Sequence, residues 1–173
     1  MLQKWLFLTF AIWLAGCAPT AVSSPTAVPP IPNTPTPENI PTPEPEFDAE
    51  TKALAAEFIA LRGEIGQFNG GSWNETIDQW QGRKHTIMME LGERLGNGRF
   101  SCSQLSDLLQ PPDHTVQGGD PLYELIQTTP IYETVEDQTA QFLVYEWRGA
   151  HDFLFFVCAD GRITAVDWWY AGE

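Results

Sequence analysis

Side chains that could transfer protons lie close together in the segment EWRGAHD, which spans Glu146–Asp152. A histidine beside a carboxylate, here His151 and Asp152, can act as a general base, and Arg148 could hold an anion. These residue types would suit a small hydrolase-like enzyme that uses Glu146, His151 and Asp152. The alternative is a polar hairpin tip, in which Arg148 faces His151 at the solvated end of a turn. We favour the polar turn and predict no catalytic residue.

The sequence contains no other motif for chemistry. The spacings CxxC, HExxH and GxSxG are missing from it, as are those of a P-loop and an EF-hand. His85, His114 and His151 are too scattered along the chain to indicate a zinc site, and we expect His85 on the surface. We therefore predict neither a metal nor a cofactor.

The charge of the chain is strongly acidic. Lysine and arginine number 9 against 23 aspartate and glutamate residues, which gives a net charge of −14. An acidic surface repels phosphate backbones, so nucleic-acid binding is disfavoured. We interpret the excess charge as a contribution to solubility.

The EWRGAHD segment belongs to a longer aromatic-rich stretch, Phe142–Tyr170, which must position it. Three apolar runs in this stretch are separated by Gly149-Ala150 and by Asp160-Gly161. Asp-Gly between apolar runs is a strong hairpin signal, because a type I′ turn needs positive φ at both central residues. The pattern predicts a three-stranded antiparallel meander and an α+β fold, with helices packed on one face of that sheet.

The two turns also predict the register, because side chains alternate between the faces of a strand. Cys158 should lie opposite Ile163, Phe156 opposite Ala165, and Leu154 opposite Asp167. Leu143 and Tyr145 should share the face of Leu154 and Phe156. The other face should collect Phe142, Val144, Phe153, Phe155, Val157, Val166 and Trp168.

Both faces are therefore apolar, and two hypotheses account for the second one. In the first, the loop 111–138 and the first helix fold over it. In the second, part of it stays open as a contact surface for a partner, because large exposed apolar patches seldom lack a role. The candidate contact residues are Phe153, Phe155, Trp168, Trp169 and Tyr170. A small-ligand binding module, with the ligand between sheet and helices, is a further alternative.

Three helices are expected before the meander. Apolar residues recur at spacings of three and four in Asp48–Phe68, with Asp48 as the N-cap. Ser72 and Glu75 fit a capping box for a second helix, and the apolar pattern predicts that helix over Arg83–Leu95. Ser101 and Gln104 fit another for Ser101–Gln110, which Pro111-Pro112 ends. After these, Pro121–Ile126 could form a helical turn and Ile131–Val135 an edge strand.

The sequence contains three cysteines, Cys17, Cys102 and Cys158. If Cys17 carries a lipid, an even pair remains, and an exported protein favours its oxidation. We predict a disulfide between Cys102 and Cys158. The alternative is a free, reactive Cys102 at a helix N-terminus, where the pKa of a thiol falls.

The N-terminal residues have the features of a signal peptide for export. Residues 1–17 contain Lys4, then a hydrophobic run over Trp5–Leu14 that is too short to span a bilayer, which takes ~20 apolar residues. Leu14-Ala15-Gly16-Cys17 resembles the lipobox of bacterial lipoproteins. That resemblance implies cleavage before Cys17 and a diacylglyceryl group on its sulfur. Loss of Lys4 would leave 8 basic and 23 acidic residues, a net charge of −15.

A proline- and threonine-rich segment, residues 18–46, separates this anchor from a single α+β domain over residues 47–173. It holds ten of the 14 prolines. Proline fixes φ and lacks an N–H group, so we predict a disordered stalk with polyproline II character, at ~3.1 Å per residue.

The segments SCSQLSDLLQPPD and FLFFVCADGRITAV, behind a lipobox, resemble the BamE/SmpA lipoproteins of the β-barrel assembly machinery and related small envelope domains. The resemblance covers about Ser101–Trp169 and implies helices on one face of a three-stranded antiparallel sheet. We expect a lipoprotein anchored in the cell envelope, on the extracytoplasmic side of a bacterial membrane. We expect it to act through protein–protein contacts with an unidentified envelope protein, in envelope maintenance or assembly.

Overall fold

The structure, a computed structural model, describes residues 44–135 and 139–172. The predicted signal peptide 1–17, its Cys17 and residues 18–43 of the predicted stalk lie outside these ranges. The helices are α1 (Ala49–Arg62), α2 (Glu75–Asp78), α3 (Arg83–Leu95), α4 (Cys102–Leu109) and α5 (Pro121–Ile126). The strands are β1 (His114–Val116), β2 (Gln141–Glu146), β3 (Asp152–Ala159) and β4 (Arg162–Tyr170). None of the described helices has the length and apolar character needed to cross a bilayer.

The α+β class is confirmed, but the sheet has four antiparallel strands in the order β1-β2-β3-β4 rather than three. The additional strand β1 pairs with β2, with His114 opposite Val144. It spans three residues, too few to show an alternating pattern in the sequence. The edge strand expected at Ile131–Val135 is instead a 3₁₀ segment, Pro130–Thr134, because its first residue, a proline, is preset for a helical turn.

The turn between β3 and β4 forms at Asp160-Gly161, with φ of 50° and 74°. Cys158 pairs with Ile163 as predicted, but a β-bulge follows, and Phe156 pairs with Val166 rather than Ala165. A bulge inserts one residue in one strand, so every later side chain changes face. The register predicted for the rest of β4 is therefore wrong by one residue.

The bulge moves two side chains between the cores. Val166 and Trp168 were expected on the second face, but they pack with Leu154 and Phe156 on the first. Trp169 takes the second face instead, where its ring stacks on Phe153 with centroids 5.4 Å apart.

Both faces of the sheet are covered by helical segments, which corrects the expectation of helices on one face. On the first, α1, α3 and α4 bury Leu143, Tyr145, Leu154 and Phe156. On the second, α5 and the 3₁₀ segment bury Phe142, Val144, Phe153, Phe155 and Val157. The first hypothesis is confirmed in part. Segments within residues 111–138 cover the second face, but α1 packs on the first face instead.

The helix boundaries follow their local signals in most places. Oδ1 of Asp48 accepts the Thr51 N–H at 2.7 Å, and α1 ends before Gly63, earlier than predicted. The capping box of α4 forms between Ser101 and Gln104. Ser72 does not cap a helix, since the N-cap of the short α2 is Asn74.

The predicted disulfide joins Cys102, at the start of α4, to Cys158, near the end of β3, with the Cα atoms 6.0 Å apart. A free Cys102 is thereby replaced by a covalent link between the helical layer and the sheet.

Candidate functional site

The structure brings His151 and Asp152 together but places Glu146 with other partners. Asp152 is 1% exposed. Its Oδ2 accepts hydrogen bonds from Nε of Arg148 at 2.6 Å and from Nδ1 of His151 at 2.9 Å. Its Oδ1 accepts the backbone N–H of Ala171 at 3.1 Å. The carboxylate thus ties the hairpin tip to the end of β4.

Glu146 points away from this group. Its Oε1 accepts a hydrogen bond from Nε2 of His114 at 2.9 Å, and its backbone N–H donates to Oδ2 of Asp113 at 2.8 Å. Asp113 also pairs with Arg62 of α1. The candidate proton-transfer group of Glu146, His151 and Asp152 is therefore split, and Glu146 joins β1 to β2 instead.

Arg148 lies between two aromatic rings. Its Cζ is 4.5 Å from the ring centroid of Phe68 and 4.3 Å from that of Trp147. Cation–π contacts of this kind are worth about 0.5–2 kcal/mol each, the upper end applying when the cation is desolvated. The arginine is thus held by stacking as well as by its ion pair with Asp152.

The loop after α1 carries Phe68 to this position, and Asp78 holds the loop in shape. Oδ2 of this buried carboxylate accepts the backbone N–H groups of Gln67 at 2.9 Å and Asn74 at 2.8 Å. Nε1 of Trp147 donates to the carbonyl of Ile77 at 2.6 Å. The hairpin of β2 and β3 and the loop around α2 are therefore fastened to each other.

His85 is completely buried, which corrects the expectation that it lies on the surface. Its ring centroid lies 4.4 Å from that of Trp147 and 4.5 Å from that of Trp80. Its Nε2 is 3.3 Å from the hydroxyl oxygen of Tyr170. Burial, and then the nearby Arg148 guanidinium, lower the pKa of His85, so the imidazole remains neutral near pH 7.

Lys84, the residue before His85, is also buried, and sequence reasoning missed it. Its side chain is 4% exposed, and Nζ donates to the carbonyl of Trp147 at 2.8 Å. The signal was present, because Lys84 lies three residues before Ile87 and so continues the apolar stripe of α3.

Three aromatic side chains form a surface feature at the end of β4, which we call the aromatic patch: Trp80, Trp168 and Tyr170. Trp168 and Tyr170 stack with centroids 5.3 Å apart, and Trp80 meets Tyr170 edge-on at 5.2 Å. Trp80 is 53% exposed and Tyr170 37%. Beside the patch lies an open cleft of 390 Å³, lined by Trp80, Arg148, Asp152, Tyr170 and Gly172.

The predicted contact residues divide between interior and surface. Phe153 and Phe155 are 0% exposed, because α5 and the 3₁₀ segment cover them, so they do not lie on an open face. Trp168 and Trp169 are partly exposed and Tyr170 is exposed, all near the end of β4. Whether these three contact a partner stays a prediction.

Neither a metal-binding cluster within the described residues nor a similar known protein was found. Among residues 44–135 and 139–172, no group of three or more His, Cys, Asp or Glu side chains is placed to hold a metal ion. No protein-family model, curated protein or solved structure matches this chain significantly.

Proposed function

We propose that this chain is a lipid-anchored extracytoplasmic protein whose folded domain works by contacting another polypeptide in the bacterial cell envelope. The observation that carries the proposal is the aromatic patch. Trp80 and Tyr170 are exposed, although the rings of His85 and Trp147 that both of them contact are buried. Tryptophan and tyrosine are the side chains that most often dominate the binding energy of protein interfaces.

The N-terminal sequence supports the location. The run Leu14-Ala15-Gly16-Cys17 resembles a lipobox, and two or three acyl chains on Cys17 would hold the protein firmly on a membrane. The proline-rich segment 18–46 would let the domain reach a partner tens of ångströms from the bilayer. The resemblance to the BamE/SmpA lipoproteins supports a role in envelope maintenance or assembly.

A hydrolase-like enzyme is the second candidate, because His151 donates to Asp152 at 2.9 Å while its own side chain is 37% exposed. A general base has this arrangement. The carboxylate, however, is already engaged by Arg148 and by the N–H of Ala171, which favours a structural role. His151→Ala separates the two: loss of a cellular phenotype with unchanged thermal stability would favour catalysis.

A photo-crosslinking amino acid placed at Tyr170 in the native host tests the contact proposal. We expect irradiation to give a discrete adduct with one envelope protein. The matched control is the same amino acid at Ile65, an apolar side chain that is 62% exposed elsewhere on the domain. Equal adducts at both positions, or none at Tyr170, would refute a specific contact at the aromatic patch.

The anchor is tested separately through Cys17. We expect labelled fatty acid to attach to the chain and the protein to sediment with membranes. Cys17→Ala should abolish the labelling and move the protein to the soluble fraction. Labelling that persists in the variant would refute a lipid at this residue.

A further inference from the structure

Among residues 44–135 and 139–172, the sheet ends in a long strand, β4, whose outer side is mostly unpaired. In the order β1-β2-β3-β4, the edge strands are β1, with three residues, and β4, with nine. In the part of the chain that the structure describes, the backbone hydrogen bonds on the outer side of β4 lie at its start, where Ile163 donates its N–H to the carbonyl of Phe100 at 3.0 Å. Within the described residues, β4 beyond this point has no strand beside it. Such an edge is a template for another strand.

The outward backbone groups of β4 can be identified by alternation. The N–H of Trp168 donates to Oδ1 of Asp167 at 2.8 Å and therefore points away from β3. Backbone groups of an antiparallel strand alternate between its two sides. Val166 and Tyr170 thus present their N–H and carbonyl groups on the same outer side as Trp168.

The two flanks of this edge differ in chemistry. On one flank lie the stacked rings of Trp168 and Tyr170, so a strand placed there would find an apolar surface. On the other flank lies Asp167, whose carboxylate accepts the outward-pointing backbone N–H of Trp168. The 3₁₀ segment packs beside β4 on this flank, and Glu133 within it is exposed.

We propose that β4 binds an extended segment of a partner polypeptide as a fifth, antiparallel strand. Its apolar side chains lie beside Trp168 and Tyr170, and its lysine or arginine side chains lie beside Asp167. Pairing of this kind takes affinity from main-chain hydrogen bonds and specificity from alternate side chains. The inference rests on the proposed function and specifies how the partner is recognised.

The charge of the chain favours a basic partner over a second copy. The sequence without its leader carries a net charge of −15, and a large like charge opposes self-association. Asp167 also opposes pairing with a second copy, because a charged residue on an edge strand discourages indiscriminate pairing. A lysine beside Asp167 would compensate the carboxylate that the pairing brings into contact.

The probe is an eight-residue peptide that alternates lysine and valine, titrated into the full lipidated chain in detergent micelles. In an antiparallel pair, opposite residues point to the same face and exchange hydrogen bonds. Valines opposite Trp168 and Tyr170 would therefore supply the N–H groups that β4 accepts. N-methylation of the four valines should abolish binding, whereas N-methylation of the four lysines should leave it within about two-fold.

Protein variants test the acidic flank. Asp167→Asn keeps an oxygen that can accept the Trp168 N–H but removes the charge. We expect about two- to five-fold weaker binding of the unmodified peptide, the range for one exposed ion pair. Glu64→Gln, an equal change of charge at an exposed position after α1, should leave the affinity unchanged.

Three results would overturn the proposal. Equal binding of all three peptides would mean that charge alone attracts them, and failure of the unmodified peptide to bind would mean that the edge is closed. Concentration-dependent dimerisation that the peptide does not inhibit would mean that the edge binds a second copy of the chain. In each case an adduct at Tyr170 in cells would still support the contact function, so the two proposals fail separately.

Discussion

Among single residues, Lys84 combines a charged group with a buried position. Its ammonium group is removed from water and is matched by one carbonyl, that of Trp147. This burial lowers the pKa of Lys84 to about 8, although Asp113 and Glu146 oppose the change. A shift from 10.5 to about 8 corresponds to about 3 kcal/mol that the charged form costs the folded state.

Lys84 should make the stability rise with pH. Between pH 8 and 10.5 the folded state has released the proton that the unfolded state still binds, so the free energy of unfolding increases with pH. We expect a rise of about 2 kcal/mol between pH 7 and 9.5 in urea denaturation. Lys84→Met should remove this rise and stabilise the protein at pH 7 by about 2 kcal/mol, after about 1 kcal/mol for the lost hydrogen bond.

Lys52→Met is the matched control, because Lys52 is exposed on α1. This variant should keep the pH dependence of the parent protein. An unchanged pH profile in Lys84→Met would contradict the assignment of that dependence to the buried amine.

At the scale of elements, two glycines lie where α3 packs against β4, and the packing requires a glycine at only one of them, Gly96. A Cβ atom at Gly96 would lie 2.3 Å from Cγ1 of Val166, which is too close for any real contact. A Cβ atom at Gly92 would lie 3.5 Å from the methyl groups of Leu154 and Val166, an ordinary contact distance. The helix therefore approaches the strand more closely at its C-terminal end.

The two glycines should respond in opposite directions to the same substitution. Gly96→Ala should force α3 away from Val166 and lower the free energy of unfolding by about 1–3 kcal/mol. Gly92→Ala should raise it by up to about 1 kcal/mol, since alanine favours the helix interior. Urea denaturation measures both. Equal effects would mean that the approach of α3 to β4 is looser than the structure has it.

For the whole molecule, the disulfide joins the helical layer to the sheet. Cys102 and Cys158 are 56 residues apart in sequence, and a cross-link over such a loop restricts the unfolded chain by about 4 kcal/mol on the chain-entropy estimate. Replacing both cysteines by alanine should lower the urea midpoint accordingly. The far-UV circular dichroism should stay unchanged, because the two cores remain. A midpoint equal to that of the parent would show that the link adds no stability.

In the candidate site, the sequence predicted contacts between neighbouring residues but not contacts between residues distant along the chain. His151 and Asp152 were found from their adjacency, and their contact is local to the hairpin. His85 was not recognised as buried, because its environment comes from Trp147, which is distant along the chain, and from Trp80 in the turn before α3. The burial of Lys84 was missed although Lys84 continues the apolar stripe of α3. Glu146 was grouped with His151 by sequence distance, whereas its partner His114 lies 32 residues earlier.

The amino-acid sequence by itself determined the features that depend on a few neighbouring residues. The Asp160-Gly161 turn, the caps of α1 and α4 and the extent of α3 follow from backbone preferences within one turn, and the disulfide follows from the two cysteines that an anchor at Cys17 would leave over. Tertiary structure decided the bulge in β4, the fourth strand and the cover of the second face. These depend on which packing buries the most apolar surface, and that free energy belongs to contacts between elements.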